Sequence, residues 1–257
     1  MADEVLSSIQ GGIATLTLNR PEKRNAINSA MIASLTAHFN DLEQHRDVRV
    51  VVVRGACKVF CSGRDLREMG QQQSADGVAQ TGVVALLHQL ETVSHPTIAM
   101  VHGDALAGGC ELALHCDLRV AAEAARFGMP LARLGLVVPF ELTCKLIEVL
   151  GPAFTRQFLF TAQSIAAHRA YEVGLVHQVV PPADLEQATY TMARAIAGNA
   201  PLALKGIKAN IQRALSLREQ IAHADLDEMG QRTRYSADAK EGVRAWLERR
   251  PPVFRGE

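Results

Sequence analysis

The stretch from Thr97 to Asp117 constrains this chain more than any other. A short apolar run after Pro96, Thr97-Ile98-Ala99-Met100-Val101, reads as a buried strand. Gly103, Gly108 and Gly109 break the pattern, and from Cys110 to Cys116 apolar residues return at helical spacing. A strand, a turn and a helix start therefore follow one another. Glycines at such a junction let free backbone N–H groups come close to a ligand, and the helix dipole adds partial positive charge at the same point. Glu111 lies three residues beyond Gly108, in the first helical turn, where its carboxylate can face whatever those amides hold. The bland reading of such a residue is a surface acid that offsets the helix dipole. Against it, Leu112-Ala113-Leu114 follow directly, so the chain is becoming buried, and a buried carboxylate needs a reason. The arrangement suits acid/base chemistry beside a developing oxyanion.

This stretch resembles the signature of the crotonase family, the enoyl-CoA hydratases and isomerases. A second stretch, Phe60-Cys61-Ser62-Gly63-Arg64-Asp65-Leu66, is similar to that family's other oxyanion loop, and the likeness runs from Arg20-Pro21-Glu22-Lys23-Arg24-Asn25-Ala26 to the tail. The resemblance implies an α/β fold, a spiral of ββα turns followed by a C-terminal helical trimerisation region. It implies that the Gly108 amide and the Ser62 amide form the oxyanion hole, that Glu111 is a catalytic carboxylate, and that the substrate is an acyl-CoA thioester. Coenzyme A is then part of the substrate, and no separate cofactor is expected. Phe60, Gly63, Arg64 and Asp65 of the second loop, with Lys23 and Arg24, are expected along the CoA arm, where basic groups meet phosphate oxygens. Trp246 and Arg249, in Ala245-Trp246-Leu247-Glu248-Arg249-Arg250, occupy the places from which the family's last helix reaches a neighbouring subunit's CoA. A homotrimer or a dimer of trimers is the implied assembly.

One departure stands out. Hydratases of the family carry a second glutamate just after the sequence that reads here Arg126-Phe127-Gly128-Met129-Pro130, and this chain has Leu131. Hydration needs a water aligned by two groups, and leucine neither donates nor accepts. Glu141, which begins the next helix after Val138-Pro139-Phe140, is the candidate replacement, against the reading of a helix N-terminal acid on the surface. Three classes remain open: a lyase or isomerase working through Glu111, a thioester hydrolase or decarboxylase using the same oxyanion hole, and a non-catalytic acyl-CoA binder.

Other features narrow the field. Ser62 has no preceding glycine of a nucleophile elbow, so its backbone amide is favoured over its hydroxyl. The glycines do not match a dinucleotide fingerprint, and no P-loop lysine follows them. Cys61 and Cys110 read as small buried packing residues, and His102 and His115 as structural. With 27 basic and 27 acidic residues the formal charge is zero, which gives no electrostatic case for nucleic acid or an acidic membrane surface. Five cysteines without paired short spacings point to reduced thiols and a cytoplasmic setting, and no metal site is expected. No run of about 18 apolar residues is present to span a membrane.

Around these motifs, Val5–Ile9 and Ile13–Leu18 alternate about Gly11-Gly12 as a hairpin. Asn28 is a plausible N-cap for a helix carrying Met31, Ile32, Leu35, Phe39 and Leu42. Val48–Val53 reads as a strand buried on both faces. A polar loop is expected about Gln71–Ser74, then a helix on Val83, Val84, Leu86, Leu87 and Leu90, and a strand at Leu118–Ala122. Later punctuation gives Ser164 as a cap, Gly174 as a stop and one strand, Leu175–Val180. Beyond Asp184 only helices are read, broken near Asn199, Leu217 and Tyr235. The expected organisation is one compact unit, a core over residues 1–198 and an oligomerisation region over 199–257.

Overall fold

In the computed structural model, residues 3–72, 78–216 and 222–256 are described, with the backbone alone at 70–72 and 78–81. The chain starts with β1 (Val5–Gln10) and β2 (Ile13–Leu18), antiparallel and joined by Gly11 and Gly12, whose φ values of 57° and 77° suit the tight hairpin turn that glycine permits. Helix α1 (Ser29–Leu42) begins where expected, with the Asn28 side chain accepting the Met31 amide at 2.8 Å. Then come β3 (Val50–Gly55), α2 (Leu66–Gln72), α3 (Val78–Thr92), β4 (Thr97–Val101), β5 (Asp104–Leu106), α4 (Gly108–His115), β6 (Leu118–Ala122) and β7 (Arg126–Gly128). The second half holds α5 (Phe140–Thr161), β8 (Ile165–Ala166), α6 (Ala167–Glu172), β9 (Gln178–Val180), α7 (Leu185–Ala197), α8 (Pro201–Leu215), α9 (Ala224–Tyr235) and α10 (Ala237–Glu248).

The strands form a large sheet in the order β1-β2-β3-β4-β6-β9, parallel except for the first pair, and a small one in the order β5-β7-β8. Single bridges from Ile27 to Arg64 and from Cys61 to Ala105 extend the small sheet. Each turn of chain thus lays one strand in the large sheet and a short piece in the small one, then returns by a helix, which is the expected spiral. The valines of β3 explain themselves in this frame. Val51 and Val53 join the core beneath α1 and α3, while Val50 and Val52 face a second apolar layer with Leu185 and Ala193 of α7, so both faces are covered.

Several boundaries differ from the sequence reading. The glycine turn contains β5, and the helix after it starts at Gly108, two residues earlier than expected from Cys110. Strands β7 and β8, of three and two residues, form by pairing and carry too little pattern to be read. The expected strand Leu175–Val180 shrinks to Gln178–Val180, because the Leu175 and Val176 amides both go to the Ala170 carbonyl and close α6. That helix follows Ala166 and not Ser164, and its N-terminus has no side-chain cap. Of the expected polar loop, Gln71 and Gln72 end α2, while residues 73–77 and the break near Leu217 lie outside the described residues.

The C-terminal helices lie on the chain's own core. Buried Lys208 of α8 donates to the His95 carbonyl at 3.0 Å and to Asp117 Oδ2 at 2.7 Å. Helix α10 presses on the turn Pro130–Leu134 so closely that a Cβ on Gly242 would meet the Leu134 carbonyl oxygen at 2.6 Å. Gly198-Asn199, the expected boundary, falls between α7 and α8. Among the described residues all five cysteines are free, and no helix is long and apolar enough to cross a membrane.

A buried arginine anchors the helix at the centre of this arrangement. Arg119 Nη1 donates to the carbonyls of Ala113 at 3.2 Å, Leu114 at 3.1 Å and Cys116 at 2.6 Å, the last acceptors of α4, and its Nε reaches the Leu175 carbonyl. These carbonyls have no intrahelical donor, and a cation at a helix C-terminus also opposes the dipole. Arg119→Met keeps the apolar stem and strips four acceptors of their donor. It is expected to lower stability by about 3 kcal/mol or more in urea denaturation, and a loss under about 1 kcal/mol contradicts the anchoring role.

Candidate functional site

The two glycine-bearing loops meet through backbone. A Cβ on Gly109 would stand 2.2 Å from the Cys61 carbonyl oxygen, so only glycine lets the first turn of α4 lie against that segment. The same segment is pinned on both sides. Cys61 N donates to Asp104 O at 3.1 Å and Leu106 N to Cys61 O at 3.0 Å, while Ile27 N donates to Gly63 O at 2.7 Å and Asp65 N to Ile27 O at 2.9 Å. Two amides beside the cavity are not taken up in this way. Gly108 N, at the first position of α4, has no intrahelical acceptor, and among the described residues Arg64 N meets no acceptor either. A Cβ on Gly108 would sit 3.6 Å from Arg64 N. The pair therefore flanks a small space that a side chain at 108 would fill and that an oxygen can accept into.

This corrects one expectation. The Ser62 amide, expected in the oxyanion hole, donates to the Arg24 carbonyl at 3.1 Å and is not available. Arg64, two residues on, supplies the free amide. Nothing in its side chain could have announced this, because the availability of an N–H depends on which carbonyls stand opposite.

Glu111 projects into the cavity beside these amides. It is 5% exposed, its Oε1 has no hydrogen-bond partner among the described residues, and burial pushes its carboxyl up to about 8. At neutral pH the group is largely protonated, and once ionised it is a far stronger base than an exposed glutamate. Ala107, which precedes the helix, adopts φ 47° and ψ −121°, an unfavourable region for a residue with a side chain. Its amide donates to Gly128 O at 2.8 Å and its carbonyl accepts the Glu111 amide at 3.0 Å, so the small sheet holds the strained residue in place.

The cavity measures about 610 Å³ and is lined by Glu111, Gly108, Ser62, Arg64, Lys23, Arg24, Asp65, Trp246 and Arg249 among others. Of the residues expected along the CoA arm, Phe60 and Gly63 do not line it. The Phe60 side chain is fully buried in the core, and Gly63, at φ 97°, is closed in by the Leu106 carbonyl, which a Cβ there would meet at 2.9 Å. Asp65 lies at the wall, but its carboxylate is held by Arg20 at 3.2 Å and by the Arg67 amide at 3.1 Å. Arg24 pairs with Asp104 at 2.8 Å. Trp246 and Arg249 require a correction: they line this chain's own cavity, brought there by the packing of α10 on the 130–134 turn, where a neighbour's site was expected.

Leu131 occupies the wall where a second carboxylate is missing, with Leu134, Leu136 and Leu142 around it. Glu141 does not replace that group here. It is exposed in the first turn of α5, 3.4 Å from His223 Nε2, and borders an adjoining cavity of about 870 Å³ that does not include Glu111. Glu141, His223 and Asp227 bring three possible metal-ligand atoms within 4.8 Å of one another on that outer side. Cys61 and Cys110 are buried with thiols pushed up by desolvation, and His115 Nδ1 pairs with the Glu111 carbonyl at 2.8 Å, all consistent with packing roles. The sequence reading overlooked Arg234 of α9, which is 5% exposed and also lines the Glu111 cavity.

The Glu111 carboxyl carries a stability signature. Its proton is held in the folded state up to about 8 and released by the unfolded chain near 4.5, so the folded form binds more protons in between and stability falls as pH rises through that window. Glu111→Gln has no such proton to lose. The stability advantage of the variant over the parent, read from denaturant midpoints, is expected to grow from pH 5 to pH 8 and then level; a gap that stays flat with pH rules out the buried, unpaired carboxyl.

With this geometry in place, comparison with known proteins identifies the scaffold. A family model described as enoyl-CoA hydratase/isomerase matches residues 8–257. The chain is 34% identical over 251 residues to a short-chain-enoyl-CoA hydratase of Clostridium acetobutylicum, covering 96% of both, and 33% identical over 253 residues to the 2,3-dehydroadipyl-CoA hydratase of Escherichia coli, covering 98% of this chain and 99% of the relative. Among solved structures, a methylmalonyl-CoA decarboxylase complexed with 2S-carboxypropyl-CoA superposes with a TM-score of 0.91 at 28% identity over the full length of both chains. Two unclaimed amides beside a buried glutamate, on a scaffold matched from residue 8 to the tail, have one explanation: the chain belongs to the enoyl-CoA hydratase/isomerase family.

Proposed function

We propose that the protein is an acyl-CoA lyase or isomerase that forms a thioester enolate and moves its proton with Glu111 as the only carboxyl. The observation that carries this reading is the unpaired, buried carboxyl of Glu111 next to the free Gly108 and Arg64 amides. The thioester oxygen accepts from both amides, and the N-terminal end of α4 favours the charge that develops on it. Lys23, Arg24 and Arg249 at the wall support recognition of the CoA phosphates. The apolar wall of Leu131, Leu134 and Leu142 offers nothing to align a water, so addition of water is not the reaction favoured. A double-bond shift needs one carboxyl alone: ionised Glu111 takes a proton from the α-carbon of a 3-enoyl thioester, the electrons delocalise through the enolate, and the same carboxyl returns the proton to the γ-carbon.

Decarboxylation is a second reading, supported by the resting protonation of Glu111 and by the structural likeness to a methylmalonyl-CoA decarboxylase. There the C–C bond electrons pass to the thioester as carbon dioxide leaves, and protonated Glu111 delivers its proton to the α-carbon.

The test is exchange of α-protons of saturated and 3-enoyl thioesters into deuterated water, run beside carbon dioxide release from malonyl-type thioesters. Glu111→Gln is expected to remove exchange while keeping thioester affinity, since the amide is isosteric. Gly108→Ala is expected to fold, because its methyl meets nothing closer than 3.6 Å, but to lose roughly 10²–10³-fold in rate by filling the space between the amides. Full activity in folded Glu111→Gln, or no exchange on any tightly bound thioester, overturns the reading.

We also infer a homotrimer or a dimer of trimers. Leu202 of α8 is 83% exposed, and Ile207 and Ile211 on the same helix are exposed as well, an apolar surface suited to a subunit contact. Light scattering is expected to give three or six chains; a stable monomer at working concentration removes the assembly.

A further inference from the structure

The Glu111 cavity and the adjoining one of about 870 Å³ share a wall. Val84, Val137, Pro139, Leu142 and Gly230 line both. Four of these carry apolar side chains, and the fifth carries none. Gly230 lies in the interior of α9, where glycine costs helix stability relative to alanine. Neither common reason for a helical glycine applies to it. Its φ is not positive, and a Cβ built on it would meet no heavy atom within 4 Å among the described residues. Gly242 of α10 is the opposite case, a glycine that the close approach of Leu134 requires. At Gly230 the missing side chain leaves open space on a wall that belongs to two cavities.

The cavities also differ in charge. Lys23, Arg24 and Arg249 line the first, whereas among the described residues no lysine or arginine lines the second. A CoA phosphate therefore finds cations on one side of the shared wall only. The second cavity offers the acids Glu91, Glu141 and Asp227 beside apolar Phe140, Leu226 and Met229. Its apolar surface suits a neutral hydrocarbon and its charges do not suit the nucleotide end of the thioester.

We propose that the second cavity takes the far end of the acyl chain, which passes Gly230 on leaving the Glu111 cavity, so that the substrates are thioesters of long-chain fatty acids. The inference rests on the thioester reading of the Glu111 cavity. A chain whose thioester oxygen is held by the Gly108 and Arg64 amides has Leu131, Leu134 and Leu142 along its path, and Leu142 is also part of the shared wall. Each methylene that enters the second cavity exchanges water for apolar contact, so affinity climbs with chain length beyond what the first cavity alone can hold.

Calorimetric titration with hexanoyl-CoA and dodecanoyl-CoA, both below the concentration at which the longer one forms micelles, tests this without turnover. The parent protein is expected to bind dodecanoyl-CoA at least about tenfold more tightly than hexanoyl-CoA. Gly230→Leu is expected to bring that ratio to near one, because leucine favours the helix and its side chain occupies the open space. Equal binding of the two thioesters by the parent overturns the proposal, and needs no variant to fold. A ratio that stays above tenfold in folded Gly230→Leu also overturns it, by placing the chain elsewhere on the surface. A chain-length preference without α-proton exchange keeps the passage and removes the enolate chemistry; exchange without the preference does the reverse.

Discussion

The contact on which the site depends is the approach of α4 to the Cys61 backbone. A methyl group at Gly109 would have to occupy the same space as a carbonyl oxygen, 2.2 Å away, so this crossing exists only because position 109 has no side chain. Everything functional is measured from it. The crossing sets Gly108 N beside Arg64 N, and it fixes where Glu111, in the first turn of α4, enters the cavity. The small sheet then locks the crossing by taking up neighbouring amides and carbonyls of both loops, with Gly108 N and Arg64 N left without an acceptor among the described residues.

The electrostatics of α4 are divided between its ends. Arg119 takes up the carbonyls at the C-terminus, so that end is neutralised internally by a buried cation. The N-terminus is left open toward the cavity, where only a ligand can complete it. Glu111 sits between the two, its Oε1 without a hydrogen-bond partner among the described residues, and its raised pKa follows from desolvation. A neutral acid at rest does not quench the partial positive charge of the amides beside it.

Much of this is legible in the order of the residues. The Asn28 cap, the hairpin at Gly11-Gly12, the doubly buried valines and the Gly108–Glu111 relation are all local, and local pattern carries them. What cannot be read that way is relational. The Ser62 amide looks as free as any other until Arg24 O is seen opposite it. Strands β7 and β8 are too short for periodicity and owe their form to partners. Whether Trp246 and Arg249 serve their own chain or another is decided by how Gly242 lets α10 settle on Leu134, a matter of tertiary fit that helix-forming residues do not encode. Glu141 illustrates the opposite failure: its type and helix position are right for a catalytic acid, and the fold turns it outward.

The placement of Trp246 and Arg249 also bears on when the site comes into being. The glycine loops and Glu111 belong to the first half of the chain, which emerges from the ribosome first and can begin to fold there. Part of the wall around them comes from α10, which is made well after them and docks on the distant turn Pro130–Leu134. Loop closure over such separations is slow compared with the local helices and hairpins. Until α10 has been made and has docked, the cleft around Glu111 lacks Trp246 and Arg249 from its wall, and this unfinished cleft is the surface that chaperones or aggregation would meet.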